Sequence, residues 1–264
     1  MTVTAILSAL AQEQEGLVAQ LVRPVKVSRA GRDFWQGELH GHRVVLALSK
    51  IGKVAAATTA TTLIEALGVR RIVFTGVAGG VGPGVQVGDV VVATDFVQHD
   101  MNASPLFPRY EIPLYGQTRF VCDPTLTAQL QHAATVALVA MSGQTPAETG
   151  HTVPIVGRVH SGLIASGDQF VASAAGARQL LTDLQAAGYA PQAVEMEGAA
   201  VAQVCFDYGV PFAAIRTVSD RADDSAHVDF PKFVTEVASH YARTIINEWM
   251  RQLPPATGLV GQAL

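Results

Sequence analysis

Several stretches of this chain are apolar at nearly every position, and each is followed by a turn or by a segment of helical spacing. "VTAILSAL", "RRIVFTG", "GDVVVATDFVQHD", "GRVHSGLIASGD" and "PFAAIRTVSD" read as strands of the buried kind. A strand without polar alternation is covered on both faces. Between them lie helical patterns: "KVAAATTATTLIEAL" from Lys53 to Leu67 with Gly68 as a stop, "SAAGARQLLTDLQAAGY", "EGAAVAQVCFDYG", and the closing "DFPKFVTEVASHYARTIINEWMRQL". "DFWQGELHGHRVVLALS" predicts a hairpin turning near Gly41, and "AVEM" a short strand. The alternation specifies an α/β fold around a largely parallel sheet with helices on both faces. No linker interrupts it, so residues 1–252 read as one domain, with a loop around 140–152 and a frayed tail over 253–264.

Composition narrows the functional classes. The hydrophobic fraction is 49% and the charged fraction 15%, enough apolar material for a large core. A net charge of -4 with scattered Lys and Arg excludes a nucleic-acid surface, which needs a basic stripe. Cys122 and Cys205 lie far apart in apolar surroundings and read as inert core thiols. The first residues carry neither a basic leader nor a run long enough to span a membrane, which points to a cytoplasmic protein. The eight histidines show no metal-ligand spacing; His40 and His42 flank the hairpin glycine and are expected at the surface.

The motifs sit where ligands bind in such sheets, at the carboxyl ends of strands. "TGVAGGVGPG" (Thr75 to Gly84) follows a strand, with Asp95 about twenty residues on, as in a dinucleotide fingerprint. The next segment reads as strand, so no helix N-terminus is offered to a pyrophosphate, and no Gly-Lys-Ser/Thr makes a P-loop. A turn or a backbone cradle for a ligand remains. Asp220 ends an apolar strand in "TVSDRADDSAH", whereas Asp223 and Asp224 read as a solvated turn capping the last helix. The stretch lacks the spacing and central glycine of a calcium loop. Glu13 and Glu15 follow the first strand. Glu195 and Glu197 stand in "AVEMEGAAVAQVC", an otherwise apolar run, where an ionised carboxylate is costly unless it finds a partner. No Gly-x-Ser-x-Gly elbow is present. Glu13, Glu197 and Asp220, at three strand ends, suit cleavage of a glycosidic bond, with one carboxyl protonating the leaving group and another activating water.

Six stretches, "SKIGKVAAA", "TGVAGG", "GDVVVATDFVQHD", "GLIASGDQF", "AVEMEGAAVAQVC" and "IRTVSDRADDSAHVDF", occur in the order found in the nucleoside phosphorylase superfamily. Between about residues 3 and 250 the chain resembles its nucleosidase branch, which acts on 5'-methylthioadenosine and S-adenosylhomocysteine. The resemblance implies a three-layer α/β domain with a mixed, partly closed sheet, no cofactor and no metal. It also implies a homodimer whose sites borrow residues from the neighbouring subunit. Carried over by motif, Asp220 would be the acid delivering a proton to adenine N7, supported by Ser219. Glu13 would activate water, with Glu15 as the alternative register. Glu197 would hold the ribose hydroxyls, with Met196 under the sugar and Glu195 beside it. Phe170 would stack on the base, and the main chain at Val171 would read its edge. Ala78 and Gly79 would line the ribose region. Ile51 and Phe230 would form the alkylthio slot, and Phe107, from the loop 101–116, would cap it across the dimer.

Other readings stay open at this stage. A phosphorylase on the same scaffold would need cations around its phosphate, and "SALAQEQEG" supplies carboxylates instead. A futalosine-type nucleosidase would share the chemistry, and a silent nucleoside-binding protein would bind without releasing adenine. Preference among methylthioadenosine, adenosylhomocysteine and 5'-deoxyadenosine is not written in the motifs.

Overall fold

The computed structural model describes residues 2–142 and 157–255. Its strands are β1 (Thr4–Ser8), β2 (Val22–Arg29), β3 (Arg32–Leu39), β4 (His42–Leu48), β5 (Arg71–Gly80), β6 (Val90–Gln98), β7 (Arg119–Val121), β8 (Val159–Ser166), β9 (Ala193–Glu195) and β10 (Phe212–Asp220). The helices are α1 (Lys53–Leu67), α2 (Pro124–Ser142), α3 (Ala174–Ala186), α4 (Gly198–Tyr208), α5 (Ala226–Phe233) and α6 (Ser239–Gln252). Most of the expected loop at 140–152, and the tail beyond residue 255, lie outside the described residues.

All strands join one sheet in the order β10-β6-β8-β9-β5-β1-β4-β3-β2, with β7 on β6. Because β10 also pairs with β5, the strands β5, β10, β6, β8 and β9 close into a small barrel. β1 lies parallel to β4 and β5, and β5 parallel to β10, whereas β6 runs antiparallel to β10 and β9 antiparallel to β5. The sheet is therefore mixed rather than largely parallel. The reason is local: a crossover to a parallel strand needs roughly a dozen residues or more, and residues 81–89 between β5 and β6 fall short of that.

Both faces are covered. In β1, Ala5 and Leu7 enter the core under α1 and α4, while Ile6 enters the opposite core under α2 and α6. α1 contributes Ala56, Ala60 and Leu63, and α6 contributes Ile245, Ile246 and Trp249. This two-sided burial is why these strands carry no polar alternation. Gly68, at φ 64°, ends α1 in the left-handed conformation that glycine adopts without strain.

Three elements went unread in the sequence. β2 is an exposed edge strand broken by Pro24, so its charged pattern resembles a loop. β7 has only three residues. α2 did carry signals: Asp123 accepts from the Leu126 amide at 2.9 Å, Pro124 takes the first helical position, and Leu126, Leu130, Ala134 and Leu138 recur on its buried face. The closing helix begins earlier than expected, at Ala226. A π turn at Val234–Ala238 follows Pro231, whose missing amide disrupts regular pairing. His42 is buried rather than at the surface, and burial lowers its pKa, whereas His40 is exposed and meets Asn247 Oδ1 at 2.6 Å. Cys122 and Cys205 are free and buried, with burial pushing both thiols up.

Candidate active site

The glycines of "TGVAGG" do not form a turn. Gly79 and Gly80 are the last residues of β5 and pair antiparallel with Val194 and Ala193. Their bareness allows close approach: a Cβ on Gly79 would stand 3.0 Å from Asp220 Oδ1, and one on Gly80 would stand 2.8 Å from Val218 Cγ1. Alongside, the pairing of β10 with β5 slips between Val218 and Asp220, a bulge that leaves Ser219 unpaired. Bulges re-aim side chains at sheet ends, and this one brings Asp220 to a cavity of about 310 Å³.

Twelve of the thirteen expected residues line that cavity: Glu13, Ile51, Ala78, Gly79, Phe170, Val171, Glu195, Met196, Glu197, Ser219, Asp220 and Phe230. Phe107 does not line the cavity of its own chain. Ala9, Leu10, Val77, Gln169 and Val194 also line it and were not anticipated. Of these, Ala9, Leu10 and Val77 hold Glu13 through their backbone amides, which leave no motif. Of Asp223 and Asp224, the first accepts from the Ser225 amide before α5, and the second from the Ala174 amide at the start of α3.

Each carboxylate is held differently. Glu13 sits in a short 3-10 turn, Gln12–Gln14, and is 2% exposed, while Glu15 points outward; burial thus separates the two registers. Glu13 Oε2 accepts from the amides of Ala9 and Leu10, both at 2.8 Å, and Oε1 from that of Val77 at 3.0 Å. Burial raises its pKa, opposed by these amides and by the Arg216 cation. Asp220 Oδ1 accepts from the Ala222 amide and Oδ2 from the Ser219 hydroxyl, each at 2.8 Å. Burial raises its pKa too, with Asp223 and Asp229 adding repulsion.

The carboxylates of "EME" have opposite environments. Glu195 accepts from Arg216 at 2.8 Å, from Ser166 in a short hydrogen bond, and from the Gly198 amide at the start of α4. Arg216 in turn donates to the Phe74 and Ile215 carbonyls and lies 4.1 Å from the Phe74 ring centroid. Among the described residues, the Glu197 carboxylate accepts a hydrogen bond only from the Gly52 amide, at 2.8 Å. Burial, and next the neighbouring Glu195, raise its pKa to about 8. Glu195 is thus anchored within the protein, and Glu197 retains acceptor capacity toward the cavity.

Arg216 was missed because an arginine inside a β-strand carries no site signature. Removing one partner of a buried pair leaves the other charge uncompensated. Arg216→Met is expected to lower stability by about 3–5 kcal/mol, read from the urea midpoint. A loss below about 1 kcal/mol would contradict the anchoring role.

A second prediction concerns pH. The Glu197 pKa is raised in the fold, so its stabilising contribution is complete below its unfolded value and is lost as pH rises through about 8. Between pH 6.5 and 8 the melting temperature of the ligand-free protein should fall. Glu197→Gln, which cannot ionise, should flatten that slope; an unchanged slope counts against the assignment.

A second network ties the cavity walls together. Lys53 Nζ meets Asp100 Oδ1 at 2.5 Å and Gln98 Oε1 at 3.1 Å. The Lys53 amide donates to Asp168 Oδ1 at 2.8 Å, and the Asp168 amide to Asp100 Oδ2 at 2.9 Å. The loop carrying Phe170 and Val171 is thereby fastened to the turn whose Gly52 holds Glu197. Phe170 and Phe230 meet edge to face at the cavity, centroids 5.4 Å apart.

A partly closed mixed sheet with helices on both faces, and buried acids converging on a cavity at its strand ends, define an α/β enzyme of acid–base chemistry. The particular family follows from similarity. Residues 4–249 match the model of the phosphorylase superfamily, and the chain belongs to it. It is 37% identical over 261 residues to the 5'-methylthioadenosine/S-adenosylhomocysteine nucleosidase of Mycobacterium bovis, covering 96% of this chain and 97% of that protein. Among solved structures, the corresponding nucleosidase of Neisseria meningitidis, in complex with methylthio-immucillin-A, superposes with a TM-score of 0.81 at 34% identity, covering 96% of this chain and all of that one. The futalosine hydrolase of Helicobacter pylori is also similar, with a TM-score of 0.79 at 32% identity, covering 94% and 97%.

Proposed function

We infer that this protein hydrolyses the N-glycosidic bond of 5'-methylthioadenosine and S-adenosylhomocysteine, releasing adenine and the 5-thioribose product. The observation that carries the reading is the lining of the cavity: four carboxyl side chains and, among the described residues, no lysine, arginine or histidine. Phosphorolysis needs cations around its nucleophile, whereas a carboxylate base suits water.

Adenine is a poor leaving group until N7 is protonated, and a carboxylic acid whose pKa is raised by burial is suited to supply that proton. Asp220 has that character, and the Ala222 amide and Ser219 hydroxyl fix its orientation. Glu13 is the base. A carboxylate offers roughly four lone-pair sites; three take the amides of Ala9, Leu10 and Val77, leaving one for water. Glu197 receives the ribose hydroxyls, which supply the partners it otherwise lacks. Charge developing on the sugar is stabilised by these acids, as in other glycosidic cleavages. Ile51 and Phe230 give the thioether an apolar slot, and Phe170 offers its face to the base.

The working form in this reading is a cytoplasmic homodimer in which Phe107 of a second copy closes the slot. Exposed Leu106 and Leu114, at 84% and 91%, lie in that same loop and support an apolar contact there. Among the described residues, no helix is long and apolar enough to cross a membrane.

The test is release of the free base from methylthioadenosine, adenosylhomocysteine and a futalosine-type nucleoside, each with and without phosphate. Release from the two thioadenosines, independent of phosphate, is expected. Phosphate-dependent formation of a ribose 1-phosphate would replace hydrolysis with phosphorolysis, and turnover of futalosine alone would move the protein to the other nucleosidase class.

A further inference from the structure

One buried carboxylate stands outside the site described above. Asp89, 4% exposed, directly precedes β6 and is absent from the lining of the cavity. Its Oδ1 accepts from the Arg158 amide at 2.8 Å, and its Oδ2 from the Gln86 amide at 2.9 Å. Oδ2 also stands 2.7 Å from His160 Nε2, so the turn before β6 is tied to the start of β8. Burying a carboxylate is costly unless such partners hold it, and here they fix the main chain around it.

That main chain grips the end of β10. The Asp89 carbonyl accepts from the Val218 amide at 2.8 Å, and the Gly88 amide donates to the Val218 carbonyl at 2.9 Å. Two residues thus face one, just beyond the regular pairing of Val90 with Thr217. This is a bulge of the kind that places glycine first, and Gly88 has the φ of 90° it requires. The Asp89 amide closes the turn on the Gln86 carbonyl at 3.0 Å, and the Tyr241 hydroxyl of α6 donates to the Gly88 carbonyl at 2.9 Å.

Val218 is the last residue before Ser219 and Asp220. On its other flank the ladder with β5 slips between Val218 and Asp220. The groups that touch the Asp220 carboxyl, the Ser219 hydroxyl and the Ala222 amide, belong to the same strand end and orient the acid only relative to its own chain. We propose that Asp89 is a positioning residue for the proton donor, holding the turn 86–89 that fixes Val218 and so setting where the Asp220 carboxyl stands in the cavity. The inference rests on the acid role of Asp220 and deepens it: a general acid must lie within hydrogen-bond reach of the atom it protonates.

The experiment is a double-mutant cycle, read as the single-turnover rate of adenine release and the KM for methylthioadenosine. Asp89→Asn keeps the shape but sets an NH₂ group where an oxygen accepted. In the folded variant the rate should fall roughly tenfold, as a small displacement of a reacting group does, with KM within about twofold. His160→Leu removes one contact from a partly exposed side and should cost roughly threefold; it carries the same comparison should Asp89→Asn fail to fold. In the Asp220→Asn background either change should cost less than about twofold, because effects that pass through one group do not add. Equal losses in both backgrounds, or an undiminished rate in a folded variant whose melting temperature alone has dropped, would overturn the role. A full rate in Asp220→Asn by itself would instead overturn the acid reading, and the positioning role with it.

Discussion

Asp220→Asn is expected to lower the rate of adenine release about a thousandfold, within the range associated with a single general acid. Asparagine has nearly the same shape and keeps an oxygen to accept from the Ala222 amide, while Ser219 can turn its hydroxyl to accept from the new amide nitrogen. Stability and ligand affinity should therefore change little. The proton is lost, because an amide has none to give at neutral pH. Single-turnover adenine release reads the first effect, and calorimetric binding of methylthioadenosine reads the second. Turnover within tenfold of the unaltered protein would remove Asp220 from the acid role. The pH dependence provides a further check: the raised pKa of Asp220 sets the limb on which activity falls with rising pH, and that limb should disappear from whatever residual rate remains.

Glu13→Gln should cost a comparable factor, about a thousandfold, but with a different accompaniment. Three backbone amides converge on the two oxygens of Glu13. A glutamine places an NH₂ group against at least one of these donors, leaving a buried amide unsatisfied at a cost of about 1–3 kcal/mol. The variant should therefore lose stability as well as rate, whereas Asp220→Asn should lose rate alone. Thermal melts of the two variants side by side check the contrast. Equal melting temperatures would mean that the amides tolerate the change and that the Glu13 environment has been misassigned. Glu15→Gln, by comparison, should barely alter the rate for methylthioadenosine, because Glu15 faces outward.

Much of the site could be read along the chain because its residues cluster in short segments at strand ends. "VEMEG" bridges β9 and α4, "SD" closes β10, and Glu13 follows β1. Each departs from its surroundings, since a carboxylate beside a buried strand demands a reason. Arg216 does not announce itself in this way. Its charge is absorbed by Glu195 and by two carbonyls, and none of these partners is near it in sequence except Ile215. Ala9, Leu10 and Val77 act through amides that every residue possesses. The glycines of "TGVAGG" suggested a turn or a cradle because glycine permits both; in the fold they continue a strand against which Asp220 can lie close.

What the amino-acid order determined by itself was local. Unbroken apolar runs specify strands buried on both faces, helical spacing and a terminal glycine set α1 to the residue, and the out-of-place carboxylates mark where chemistry belongs. Periodicity reports each segment's own environment and nothing of its neighbours. The tertiary structure decided how β10 closes the barrel between β5 and β6, which of Glu13 and Glu15 turns inward, and why Glu195 is matched by Arg216 while Glu197 keeps acceptor capacity toward the cavity. These outcomes depend on distances between residues far apart in the chain, and only packing sets such distances.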